Sequence, residues 1–171
     1  DQSDVIYLIT PDRFVNGNPG NDQVESMKEL PDRSDRDGRH GGDIRGIINS
    51  LDYLQEMGFT AVWLNPVLEN NMTQVSYHGY SPTDFYKVDP RYGSNEEYQE
   101  LNEELDKLGM KLIMDMIFNH CGSEHWWMED LPMSDWINNY PDYKITSHRR
   151  TVNQDPHASD SDYKEIGRAH V

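Results

Sequence analysis

Three short apolar runs alternate with two amphipathic segments along this chain, and that order constrains its fold more than any other feature. The runs are rich in β-branched and aromatic residues, as buried strands are, and they cover Val5–Ile9, Phe59–Leu64 and Lys111–Phe118. Each connection is long enough for the crossover helix that parallel strands require. The order therefore predicts an α/β fold of parallel strands covered by helices, either a doubly wound sheet or a barrel.

Both connections carry helix signals. In the first, apolar residues fall at helical spacing from Ile44 to Leu54, and Gly58 is placed to end the helix. In the second, Ser94 with Glu97 three residues later forms a capping box, and Gly109 follows the last apolar residue of the pattern. We therefore expect one helix in each connection.

Polar residues interrupt and end the third run. Asp115 lies inside it, and Asn119 and His120 close it. A carboxylate in a buried strand costs free energy unless it is hydrogen-bonded or paired, so it usually marks a site, although a core aspartate satisfied by backbone amides is the alternative. Polar and aromatic residues also follow the first two runs, at residues 12–14 and 65–80. All of them would lie at the carboxyl ends of the strands, where barrel enzymes build their active sites, and this favours a barrel.

The charge and hydropathy of the chain limit its partners. The formal net charge of -16 argues against nucleic acid or an anionic membrane surface and favours a neutral ligand. No apolar run approaches the ~20 residues of a membrane span, so we expect a soluble protein. Cys121 is the only cysteine, which excludes an internal disulfide, and we expect it to be a buried, inert thiol.

Four segments resemble the α-amylase family of glycoside hydrolases, and particularly the bacterial periplasmic neopullulanases and cyclomaltodextrinases of starch utilisation. They are Asp12-Arg13-Phe14, Gly41-Gly42-Asp43, Tyr77-His78-Gly79-Tyr80 and Asp115-Met116-Ile117-Phe118-Asn119-His120. The resemblance implies a partial TIM (β/α)8 barrel, with three strands and two helices in residues 1–120 and the start of an inserted domain in residues 121–165. Residues 166–171 depart from the family pattern, and we expect them to be a non-native tail.

The resemblance also implies roles for four residues. Tyr80 is similar to the tyrosine that stacks under the sugar ring at the cleaved position, although a core tyrosine is the alternative. His120 resembles the histidine that hydrogen-bonds the same sugar, and Asn119 joins it in substrate binding. Asp115 resembles the aspartate that supports the catalytic carboxylates. The family's nucleophile and acid/base follow later strands, so we name no catalytic residue and expect this chain alone to be inactive.

The function implied for the parent protein is retaining hydrolysis of α-1,4-glucosidic bonds in maltodextrins, cyclodextrins or pullulan, in the periplasm or otherwise after export. An α-glucan is therefore the expected partner. Two alternatives remain open: a transglycosylase on the same scaffold, and a catalytically inactive amylase-like subunit for binding or transport.

A second group of residues offers oxygen ligands: Asn16, Asn18, Asn21, Asp22, Gly41 and Asp43. Their spacing alone is more typical of a turn-rich loop. The resemblance favours Ca²⁺, which takes roughly six to eight oxygens, because neopullulanase-like relatives bind it here. Asn18 stands where relatives commonly have aspartate, so this site would carry less charge.

Three other features have simpler interpretations. Residues 32–40 mix charges of both signs, as a solvated loop does. Trp63 lies inside the second strand, which predicts a core position. For Trp126, Trp127 and Trp136, a glucan-binding groove and the core of the inserted domain are equally supported.

Overall fold

The computed structural model describes residues 2–137 and contains a parallel sheet with the strand order β1-β2-β3. The strands are β1 (Ile6–Ile9), β2 (Ala61–Leu64) and β3 (Lys111–Met114). Each is aligned end to end with its neighbour, because Ile6 lies opposite Ala61 and Ala61 lies opposite Lys111. The predicted α/β arrangement of parallel strands is confirmed.

The first connection contains two helices, α1 (Ile44–Ile48) and α2 (Leu51–Glu56), so the prediction of one helix is wrong. The break falls at Asn49 and Ser50. The Ser50 hydroxyl donates a hydrogen bond to the Gly46 carbonyl at 2.8 Å, and such local bonds bend or interrupt helices. Gly58 follows the end of α2 and has φ of +83°, which confirms its predicted place at the end of the helical segment.

The second connection contains α3 (Asn95–Lys107), which begins at the predicted cap. The Ser94 side chain accepts the Glu97 N–H at 3.2 Å, and Gly109 follows the helix with φ of +69°. The Glu97 carboxylate accepts two hydrogen bonds from Arg45 of α1, at 3.1 and 3.3 Å. The serine of the predicted capping box therefore caps α3 as expected, while the glutamate side chain links α3 to α1.

The core lies between one face of the sheet and the helices. Its most buried members come from β1, β2 and the three helices, and Leu112 of β3 packs against them as a partly buried residue. They are Ile9, Ile44, Ile47, Leu54, Val62, Leu64, Leu101 and Leu105. Side chains alternate along a strand, so the intervening residues face the other side, where Leu8 is 56% exposed and Trp63 is 39% exposed. The prediction that Trp63 is a core residue is therefore wrong. Its neighbours Val62 and Leu64 occupy the helix-facing positions.

The third strand is shorter than predicted and ends at Met114 rather than Phe118. Met114 pairs with Leu64, the last residue of β2, so no ladder partner remains for a longer strand. Asp115 therefore lies just beyond the strand, at its carboxyl end, and not in its middle. Its carboxylate is half-buried and does not interrupt a ladder.

The chain divides into two compact units after Met128, and only residues 129–137 of the second unit are described. The predicted domain boundary at residues 120–121 stays a prediction, and the predicted tail at 166–171 lies outside the described residues. Within residues 2–137, no helix is long and apolar enough to cross a membrane.

Candidate active site

The loops that follow β2 and β3 meet at the carboxyl rim of the sheet, where three of the four predicted site residues come together. The Tyr80 hydroxyl donates a hydrogen bond to Asp115 Oδ2 at 2.9 Å, and the Trp63 indole N–H donates to the same oxygen at 3.3 Å. His120 Nε2–H donates to the Tyr80 carbonyl at 2.8 Å. Asn119 is exposed beside them, and its contact with a substrate stays a prediction.

The backbone, ring and hydroxyl of Tyr80 all have contacts, and the side chain is still accessible to solvent. The side chain is 40% exposed, and its ring stacks on the His78 ring with centroids 5.9 Å apart. The Tyr80 N–H donates to His78 Nδ1 at 2.9 Å. Burial and the hydrogen bond to Asp115 raise the pKa of Tyr80 to about 12, so the hydroxyl stays protonated and remains a donor at neutral pH. The core alternative for Tyr80 does not fit this exposure.

A glycine is required between the two rings. Gly79 has φ of +82°, and a Cβ atom there would lie 2.1 Å from the Pro66 carbonyl oxygen. Any other residue would displace the backbone that carries His78 and Tyr80. The relative positions of His78 and Tyr80 therefore depend on the glycine between them.

His78 is neutral in this arrangement. Desolvation lowers its pKa, and the charge of Glu29 opposes that shift without cancelling it. A neutral ring is also what the Tyr80 N–H requires, because it donates to the unprotonated Nδ1. His78 lies in one of the four segments of the resemblance, which implied no role for it.

Arg39, Asp12, Asp89 and Arg91 form a buried ionic network that no sequence pattern predicted. Arg39, which the charge pattern placed in a solvated loop, is only 2% exposed. Its guanidinium lies 3.8 Å from Asp12 and 4.0 Å from Asp89, and it donates to Ser76 Oγ at 3.1 Å. The rest of that prediction holds for residues 32–37, which are exposed. Arg39 differs because its loop folds back against the Tyr92 ring, with the guanidinium 4.6 Å from the ring centre.

Asp89 is the centre of this network and is fully buried. Burial alone would raise its pKa, but hydrogen bonds from Arg91 and the charge of Arg39 outweigh this effect and keep the pKa low. Arg91 forms a fork on both carboxylate oxygens, at 2.8 and 2.9 Å. The carboxylate is therefore charged and paired, as a buried charge must be.

Three residues of the predicted calcium site, Asn16, Asp22 and Gly41, lie close together. Asn16 donates through Nδ2 to Asp22 Oδ1 at 2.7 Å, and a Cβ atom on Gly41 would lie 2.7 Å from that same oxygen. The amide oxygens of Asn16 and Asn21 are buried without a hydrogen-bond partner in the described residues. Unpaired buried oxygens are costly in isolation and are the ligands that Ca²⁺ prefers, so these residues fit a calcium ion.

The other two predicted ligands are used differently in this structure. Asp43 caps α1 and accepts backbone N–H groups from Gly46 at 2.6 Å and Asn18 at 2.8 Å. The Asn18 side chain accepts from Gly20 N–H at 3.1 Å and is exposed. In the part of the chain that the structure describes, no group of three or more His, Cys, Asp or Glu could hold a metal, so a calcium site here would combine the Asp22 carboxylate with amide and carbonyl oxygens.

The tryptophans differ from one another. Trp127 belongs to a small aromatic cluster, with its ring centre 4.4 Å from His125 and 5.5 Å from Phe85. Trp126 is 51% exposed, and Trp136, in the second unit, is 48% exposed. A role in a glucan groove stays a prediction for all three. Cys121 is half-buried, and desolvation raises the pKa of its thiol, which fits an inert residue.

A family model, curated relatives and solved structures all match this chain to the same group of proteins. The family described as alpha amylase, catalytic domain, matches residues 8–167. A cyclomaltodextrinase of Thermoanaerobacter pseudethanolicus is 34% identical over 84% of this chain and 25% of its own length. Neopullulanase 2 of Thermoactinomyces vulgaris is 34% identical over 81% of this chain and 23% of its own. The solved α-amylase of Anoxybacillus is 41% identical with a TM-score of 0.75, covering 88% of this chain and 32% of that structure.

These relatives confirm the resemblance and the partial barrel. The three strands and their carboxyl rim match a segment that makes up between 23% and 32% of each relative. The family match covers all four segments on which the resemblance rested. The chain therefore belongs to the α-amylase family and forms the N-terminal part of its catalytic barrel.

Proposed function

We propose that the full-length protein carrying this chain is a retaining glycoside hydrolase that cleaves α-1,4-glucosidic bonds in maltodextrins, cyclodextrins or pullulan. The observation that carries the proposal is the exposed Tyr80 ring at the rim. Asp115 accepts a hydrogen bond from the Tyr80 hydroxyl, and His120 donates one to the Tyr80 carbonyl. Relatives named cyclomaltodextrinase and neopullulanase support the choice of α-glucans.

The geometry suits a sugar. A glucose ring presents a face of C–H groups, which packs on the face of an aromatic ring. Three anchors leave Tyr80 little freedom, so little entropy remains to be lost when the sugar binds. In a retaining enzyme two carboxyl groups lie about 5 Å apart, and we place both on later strands of the full-length barrel, as the resemblance implies.

The experiment uses the full-length protein and its Tyr80→Ala variant. The control is Tyr86→Ala, because Tyr86 is a 76% exposed tyrosine further along the same connection to α3. Maltodextrin cleavage should yield products of α configuration, followed by NMR as they form. Loss of the Tyr80 ring should lower kcat/KM by about 10- to 100-fold, which corresponds to a loss of roughly 1.4–2.8 kcal/mol of transition-state stabilisation. The control should retain full activity. Products of β configuration, or equal losses in both variants, would contradict the proposal.

The same assay separates the alternatives. Longer oligosaccharides as the main early products would indicate a transglycosylase, and binding without turnover would indicate an inactive binding subunit. We further propose that Asn16, Asn21, Asp22 and Gly41 bind Ca²⁺, supported by the two unpaired amide oxygens. Export to the periplasm rests on the resemblance, and cell fractionation tests it.

A further inference from the structure

Val75 has a strained backbone directly before the site. It is the only non-glycine residue with positive φ in residues 2–137, at φ 55° and ψ 29°. This left-handed conformation is unfavourable for a β-branched side chain and persists only where the surroundings enforce it. The next three residues, Ser76–His78, form a 3-10 turn that leads through Gly79 to Tyr80.

The carboxylate of Glu29 holds Val75 in this left-handed conformation through two hydrogen bonds. Its Oε1 accepts the Val75 N–H at 2.9 Å and its Oε2 accepts the Ser76 N–H at 2.7 Å. Two oxygens on two successive amides fix the direction of both peptide units. These are also amides at the start of a helical turn, which have no carbonyl partner inside the turn.

Glu29 is itself anchored. Its carbonyl accepts from Arg91 Nη1 at 3.1 Å, and the N–H of the preceding Lys28 donates to Asn71 Oδ1 at 2.8 Å. Asn71 in turn donates to the Ser26 carbonyl at 3.1 Å. The carboxylate is therefore held from its own backbone and can impose a conformation on Val75.

The turn transmits this conformation to Tyr80. The Tyr77 carbonyl accepts the Tyr92 hydroxyl at 2.5 Å, and His78 Nδ1 accepts the Tyr80 N–H at 2.9 Å. A relaxation of Val75 out of the left-handed region would rotate the start of a turn whose other end carries the Tyr80 ring.

We infer that Glu29 is a positioning residue: it holds Val75 in its strained conformation and thereby sets the Tyr80 ring at the angle needed to stack on the sugar. The catalytic part of this inference rests on the proposed function, whereas the structural part does not. Glu29 belongs to no segment of the family resemblance, and its carboxylate accepts hydrogen bonds from the backbone of Val75 and Ser76.

The test compares Glu29→Gln with Glu25→Gln in the full-length protein. Glu25 is an exposed carboxylate on the same segment, so its replacement controls for the charge change. Glutamine keeps the shape of Glu29 but offers one acceptor oxygen, and its amide N–H groups would face a backbone N–H. Amide hydrogen exchange in peptides covering residues 70–80 should rise in Glu29→Gln and stay unchanged in Glu25→Gln.

Kinetics supply the second readout. Misplacement of a group near the reacting sugar lowers the rate of the chemical step, so kcat for maltodextrin should fall about tenfold with a smaller change in KM. Adding Val75→Asn should restore at least a third of the lost activity, because asparagine adopts the left-handed conformation readily. A purely structural role for Glu29 would give no such rescue.

The outcomes separate the two hypotheses. A wild-type protein without activity on any α-glucan refutes the proposed function, while the exchange measurement still decides whether Glu29 holds Val75. Unchanged exchange and unchanged kcat in Glu29→Gln overturn the inference, as does lost activity that Val75→Asn does not restore. If Glu29→Gln does not fold, the single variant Val75→Asn decides: a higher melting temperature than wild type supports the strain, and a lower one overturns it.

Discussion

Replacement of Arg91 by methionine tests how much the buried ionic network stabilises this barrel segment. Arg91 is 2% exposed, forms the fork on Asp89 and also donates to the carbonyls of Glu29 and Asn70. Methionine has similar length but no charge, so Asp89 would keep its backbone donors and the more distant Arg39. Removal of one partner of a buried pair typically costs about 3–5 kcal/mol, because the other charge stays buried without compensation.

The matched control is Arg45→Met. Arg45 pairs with Glu97 at 3.1 Å and Glu100 at 2.6 Å on the helical surface, where its side chain is 31% exposed. Solvent screening limits such pairs to roughly 0.2–1 kcal/mol.

Thermal unfolding of the full-length protein should separate the two variants. The relatives are about three to four times as long as this chain, and for a protein of that size Tm should shift by roughly 1 °C per kcal/mol. Arg91→Met should therefore lower Tm by about 3–5 °C and Arg45→Met by less than about 1 °C. Adding Asp89→Asn to Arg91→Met should recover part of the loss by removing the uncompensated charge. Equal shifts for the two arginines, or no recovery, would refute the assignment of the stability to a buried charge pair.

Three further predictions concern the calcium site, pH and the turn. Chelation of Ca²⁺ should lower the Tm of the wild type and leave Asn21→Ala unchanged, because a ligand at about 100 times its Kd stabilises by about 2.7 kcal/mol; equal sensitivity of both proteins would argue against a site at Asn21. The lowered pKa of His78 means that the unfolded chain binds this proton first as pH falls, so stability should decrease below pH 6.5, and urea titrations of His78→Gln should show a smaller decrease. Gly79→Ala should cost more than Gly58→Ala in the same unfolding assay, because both glycines have positive φ but only the Cβ at residue 79 meets a carbonyl, at 2.1 Å.

Local signals in the sequence were reliable at the predicted start of α3 and at the glycines that follow α2 and α3, where the decisive interactions lie close along the chain. The cap at Ser94 depends on an N–H three residues away, and Gly58 and Gly109 adopt the left-handed conformations that ended the predicted helices. The same holds for the apolar runs, which are read from their immediate neighbours. The sequence also identified the rim residues Tyr80 and His120 through contiguous motifs.

The break between α1 and α2 follows a local hydrogen bond from Ser50 to Gly46, but the other errors share a physical cause, which is dependence on a partner far away in sequence. The end of β3 was set by the end of β2, and the outward face of Trp63 by the helices that cover Val62 and Leu64. Arg39 is buried because Asp12 and Asp89 meet it from two other loops. No charge pattern within residues 32–40 contains that information.

The sequence by itself determined the parallel α/β order, because the apolar runs and helix signals depend on composition and spacing within a few residues. It also determined the family and the segments that supply the rim, because four contiguous motifs carry the resemblance. Only the tertiary structure decided that Tyr80, Asp115 and His120 meet, that two asparagine oxygens near Asp22 are left unpaired, and that Glu29 holds Val75. These are contacts between loops whose separation in sequence is large. Their geometry follows from how the strands align and how the helices pack, and both are properties of the folded chain as a whole.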